Sequence, residues 1–190
     1  MEKALSLTES VAEKMGLGKR DSFHLRLLGE EMFSMVRSIT GDFSADFWLE
    51  HEKSTCKLNL EAKSDLDYSK RKELLSVSTK GENIAHLGIM EKIRNIIEAG
   101  LYDLQESFEL QNEYGVGAFN YGPAGLLDNG MSEAIFSWSM QKYKSEIEAV
   151  KNENSDAWDE LEKSIIANIA DDVQVGVSKN GVLLIAVKTF

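Results

Sequence analysis

The segment STKGENIAHLG, residues 78–88, carries side chains suited to holding an anion. Thr79, Lys80, Gly81 and Asn83 lie at the start of a predicted helix, where free backbone N–H groups and the positive helix end attract a phosphate. The spacing does not match Gly-x-x-x-x-Gly-Lys-Ser/Thr, which excludes a P-loop. An ordinary loop with a glycine before a helix cap explains the same residues, so both interpretations stay open.

Two adjacent acids, Glu30 and Glu31, interrupt the apolar pattern of residues 25–39, LRLLGEEMFSMVRSI. At about 100° per residue, the apolar side chains of a helix over this segment form one arc: Leu25, Leu28, Met32, Met35, Val36 and Ile39. Glu30 falls roughly opposite the centre of this arc, which predicts a surface acid, whereas Glu31 falls at its edge. Glu31 is then either a functional carboxylate or a boundary acid paired with Arg37, Lys57 or water.

The elements around these residues include two hairpins separated by helices. Alternating apolar and polar side chains predict strands in FSADFWLEH and TCKLNLEA, joined by a short polar link, and in DDVQVGVSKNGVLLIAVKTF, which contains an Asn180-Gly181 turn. Helical spacing predicts helices over residues 3–16, 21–39, 66–78 and 82–100, and at about residues 132–151 and 155–170. The intervening residues 112–130 are rich in glycine and contain the only proline, which predicts a lid, a partner-docking loop or an irregular linker.

This order of elements predicts an α+β fold in a single domain over residues 1–190, with a lid or insertion at about residues 108–131. Strands that come as hairpins favour a two-layer sandwich. We expect a mixed, mostly antiparallel sheet of about four or five strands, covered on one face by helices.

Composition narrows the classes of partner. A formal net charge of −11 argues against binding DNA or RNA, because that affinity comes mainly from Lys and Arg. No run of residues has the pattern of a signal peptide or the length of a membrane span, so we expect a cytoplasmic protein without a membrane partner. Cys56 is the only cysteine, and the histidines lie on different elements, which argues against a zinc site or a Cys-His nucleophile.

The tail SIIANIADDVQVGVSKNGVLLIAVKTF, a helix that runs into Asp171, Asp172 and a terminal hairpin, resembles the end of the anti-sigma-factor serine kinases. These kinases belong to the superfamily of histidine-kinase-type ATPase domains (GHKL), which also includes gyrase and MutL. The order of elements in the front half is similar too. The resemblance implies the Bergerat-type ATPase fold, with ATP or ADP as the cofactor.

The resemblance also assigns site residues. It places the family's catalytic Glu, a general base, on Glu31, and the Asn that normally holds Mg²⁺ on Met35, which argues against a bound Mg²⁺. The family's acid-glycine box is not readable after the second strand. The candidate phosphate contacts are Thr79, Lys80, Gly81, Asn83, Gly115 and Gly117, and the stacking faces for a base are Tyr114, Phe119 and Tyr121.

The function that the resemblance implies is an adenine-nucleotide-binding regulatory protein with weak or no catalysis. If it is active, it is an ATPase or an ATP-dependent serine/threonine kinase. Its implied partners are a protein of the sigma-factor or anti-sigma-antagonist type and a second copy of itself. The alternatives are a catalytically inactive interaction module on the same fold, without nucleotide, and an unrelated α+β fold that binds another small ligand.

Overall fold

The computed structural model describes residues 1–40, 44–63, 93, 119–121, 136–149, 164–178 and 181–190. The elements within these ranges are, in chain order, α1 (Glu2–Lys14), α2 (Lys19–Thr40), β1 (Ser44–Glu52), β2 (Thr55–Lys63), β3 (Phe119–Tyr121), β4 (Phe136–Ser139), α3 (Met140–Ala149), α4 (Ile165–Ile169), β5 (Asp172–Ser178) and β6 (Gly181–Thr189).

The strands form one open sheet in the order β1-β2-β6-β5-β4-β3. Every pairing among the described strands is antiparallel, and six described strands form the sheet, of which β3 has three described residues. The prediction was a mixed, mostly antiparallel sheet of about four or five strands, so its antiparallel part is confirmed, and no parallel pair occurs among the described strands. The two predicted hairpins lie side by side, because β2 pairs with β6 from Thr55 opposite Thr189 to Lys63 opposite Gly181. The α+β class is thus confirmed, with both hairpins in a single antiparallel layer.

The core lies between one face of this sheet and the helices. β2 and β6 point alternate side chains into it, and they are almost completely buried: Cys56, Leu58, Leu60, Ala62, Val182, Leu184 and Ala186. The predicted apolar arc of α2 packs over β2 and β6. Leu25, Leu28, Met32, Met35 and Val36 are at most 4% exposed, which confirms the helical-wheel prediction for these five members, while the side chain of Ile39 lies outside the described residues.

The first helix ends just before Gly16, the last residue of the predicted range 3–16. The Gly16 N–H donates to the Glu13 carbonyl and the Leu17 N–H to the Ala12 carbonyl, both at 3.0 Å. This is the Schellman pattern, which requires a left-handed residue at the position of Gly16, whose φ is 68°. The glycine therefore turns the chain so that α1 packs back against α2.

Three local predictions differ from the structure. Residues 119–121, predicted within the glycine-rich loop, form β3, and residues 136–139, predicted as the start of a helix, form β4. The alternation in Phe-Ser-Trp-Ser has the period of a strand, and Trp138 is 2% exposed on the core face opposite Val175. The helix predicted at about residues 155–170 cannot run through Ser164, because this residue has extended backbone and caps α4.

Candidate functional site

Glu30, the first of the two adjacent acids and the predicted surface acid, is partly exposed and has a structural partner that the sequence analysis did not predict. The Arg26 Nε donates to its carboxylate at 3.0 Å, and the same guanidinium forms a second ion pair with Glu9 on α1. The hydrogen bond to Glu30 makes the largest contribution to raising the pKa of the guanidinium, and the hydrogen bond to Glu9 makes the next largest. Glu30 therefore belongs to a network of ion pairs, Glu9–Arg26–Glu30, that links α1 to α2.

Glu31, the candidate base, lies at the edge of the core face of α2. Its side chain is half-buried, next to the fully buried Met32. Within the described part of the chain, no ion pair or hydrogen bond engages its carboxylate, in contrast to Glu30. Among the described residues, its oxygens are therefore open to a ligand or to water.

Met35 lies one turn beyond Glu31, at the position where the resemblance expects a magnesium ligand. Its side chain is 4% exposed and belongs to the core between α2 and the sheet. A thioether is a poor ligand for Mg²⁺, which binds oxygen atoms. Among the residues that the structure describes, no group of three or more His, Cys, Asp or Glu side chains is arranged to hold a metal ion.

The other predicted site residues are Thr79, Lys80, Gly81, Asn83, Gly115 and Gly117, and all of them lie outside the described residues, as does Tyr114. Phe119 and Tyr121 are part of β3, where they lie opposite Trp138 and Phe136 in the ladder to β4. The structure therefore gives the position of Glu31 and leaves the phosphate contacts as predictions.

A buried polar cluster around Asp172 is a feature that the sequence reading missed. Asp172 is 7% exposed at the start of β5, and its carboxylate accepts from three donors: Ser139 Oγ at 3.1 Å, the Gln141 N–H at 2.9 Å and Gln174 Nε2 at 2.9 Å. The Gln141 N–H is one of the free donors in the first turn of α3. Asp172 is therefore a capping acid for α3 supplied by a distant strand.

Asp171 is the neighbour of Asp172 in the chain, but it has a different structural role. Its carboxylate is exposed, accepts from the Thr189 N–H at 2.6 Å and lies 3.2 Å from Lys188 Nζ. Both acids at the start of the terminal hairpin therefore have structural roles. Asp172 accepts hydrogen bonds at the start of α3, and Asp171 accepts one at the end of β6. Ser139 also accepts from the Lys142 N–H at 3.4 Å and so caps the start of α3. Detecting this from sequence would have required the β4 boundary, because Ser139 can cap α3 only if the helix begins at Met140.

Lys144 connects the same region to α4. Its Nζ donates to the Ala167 carbonyl at 3.0 Å. Burial lowers the pKa of the ammonium group, and the nearby carboxylates of Asp172 and Asp171 partly offset this effect. The lysine therefore fixes α3 against α4.

Cys56 is a buried thiol on the core face of β2, and burial raises its pKa to about 11. We expect the native protein at pH 8 to resist a thiol reagent such as DTNB and to react stoichiometrically once it is unfolded in urea.

The folded-state pKa of the Cys56 thiol lies above the ordinary value of 9.0, so this thiol contributes stability that is present below about pH 9 and is lost as the pH rises toward about 11. The stability difference between the wild type and Cys56→Ala should accordingly narrow over that range. Rapid labelling of the native protein at pH 8 would contradict this placement of the side chain.

Comparison with models of known protein families, with curated proteins and with solved structures gives no match to this chain. No helix in the described ranges combines the length and the apolar composition that are needed to cross a membrane.

Proposed function

We propose that this protein is a cytoplasmic regulator that binds an adenine nucleotide and has weak or no phosphotransfer activity, in the manner of a degenerate anti-sigma-factor kinase. The observation that carries the proposal is the contrast on α2 between an available, half-buried Glu31 and a buried Met35 one turn later. The resemblance also implies a protein partner of the sigma-factor or anti-sigma-antagonist type, and we propose a homodimer in addition.

The arrangement of layers supports the nucleotide part of this proposal. Two antiparallel hairpins joined through β2 and β6 form one sheet, and α2 lies over that junction with Glu31 at its border. In the Bergerat-type fold that the resemblance implies, such a helix would carry its acid toward a nucleotide pocket. The phosphate contacts then come from Thr79, Lys80, Gly81 and Asn83, with Gly115 and Gly117 in the lid.

The chemistry of phosphoryl transfer explains why we propose weak catalysis. Transfer depends on a correctly held Mg²⁺ that neutralises the developing charge on the phosphates. The thioether of Met35 cannot supply an oxygen ligand, and its burial at 4% exposure leaves no room for a polar replacement to reach out without disturbing the core. Glu31 alone positions a water or hydroxyl group but does not replace the metal ion.

Nucleotide binding is tested by the thermal unfolding of the full chain in the presence of ATP, ADP or GTP. A ligand that binds only the native state stabilises it by about 2.7 kcal/mol when its concentration is 100 times the dissociation constant. We expect millimolar ATP and ADP to raise the Tm, GTP to have a smaller effect, and Mg²⁺ to add little. An unchanged Tm with every adenine nucleotide would remove the nucleotide part of the proposal.

The role of Glu31 is tested by Glu31→Gln, with Glu30→Gln as the matched control on the same helix. We expect both variants to keep the nucleotide-induced shift in Tm, because neither substitution changes side-chain size. Any slow ATP hydrolysis should fall at least about 100-fold in Glu31→Gln, as expected for loss of a general base, and stay within about twofold in Glu30→Gln. Equal turnover in the two variants would exclude Glu31 as the base.

The second candidate is a non-enzymatic interaction module on the same sandwich. An exposed aromatic side chain favours it: Phe23, in the first turns of α2, is 61% exposed. Large aromatic side chains are enriched at protein interfaces. A Tm that responds to no nucleotide, together with partner binding that Phe23→Ala weakens, would select this candidate.

A further inference from the structure

We draw no further inference here: the strongest candidate, the row of cross-strand neighbours Asn59, Ile185 and Gln174 on the sheet face opposite the core, is buried at its centre, but nothing in the part of the chain that the structure describes shows what covers it.

Discussion

Gly181→Ala is expected to lower the free energy of unfolding by about 3 kcal/mol or more, because the added methyl group has no space in the central strand pair. Gly181 begins β6 opposite Lys63, with a φ of 154°. A Cβ at this position would overlap the carbonyl oxygen of Ala62 and lie 3.0 Å from its carbonyl carbon, and both are backbone atoms of β2. The two strands would have to separate where the two hairpins join.

Urea unfolding monitored by circular dichroism measures this effect, and two other glycines provide the controls. Gly16 has a φ of 68° with nothing within 4 Å of an added Cβ, so Gly16→Ala should cost about 1 kcal/mol for backbone strain alone. Gly29 lies inside α2, where an added Cβ meets Thr8 and Leu5 at 3.6 and 3.7 Å, which is ordinary contact. Gly29→Ala should therefore stabilise the protein by up to about 1 kcal/mol through its helix propensity. Equal effects in Gly181→Ala and Gly16→Ala would show that the β2–β6 contact at Ala62 is looser than described.

Asp172→Ala is expected to be the second most damaging change, at about 3 kcal/mol. The substitution leaves the buried Ser139 hydroxyl and the part-buried Gln141 N–H and Gln174 amide without their common acceptor. Each buried donor that loses its acceptor costs about 1–3 kcal/mol, and the Gln141 N–H also loses the negative charge that stabilises the first turn of α3. Hydrogen exchange at the Gln141 amide should accelerate together with this loss.

The adjacent acid offers a matched control for Asp172. Asp171→Ala removes an exposed carboxylate that accepts from the Thr189 N–H and pairs with the partly buried Lys188, and we expect a loss of about 1 kcal/mol, as for ion pairs near the surface. Asp172→Asn keeps one acceptor oxygen and should fall between the two alanine variants. A similar loss for Asp171→Ala and Asp172→Ala would contradict the assignment of Asp172 as the buried cap of α3.

The candidate site was partly predictable because a helix repeats every 3.6 residues. That period alone predicted Met35 inside the core, which its burial confirms, whereas Glu30 and Glu31 are both partly exposed, so burial does not separate the predicted surface acid from the predicted border acid. The structural roles of Asp171 and Asp172 could not be predicted from the sequence. Their partners Lys188, Thr189 and Ser139 come from other strands, and no local pattern specifies which donors a distant carboxylate meets.

The sequence by itself determined the local elements: the two hairpins, the buried face of α2 and the glycine that ends α1. These follow from side-chain periodicity and backbone preference, which act over a few neighbouring residues. Only the tertiary structure decided that β2 pairs with β6, that Phe136–Ser139 is a strand and that Asp172 caps α3. Such pairings join segments that are far apart in the chain, and many of them satisfy the same alternation. The choice among them depends on how all the apolar faces are buried together.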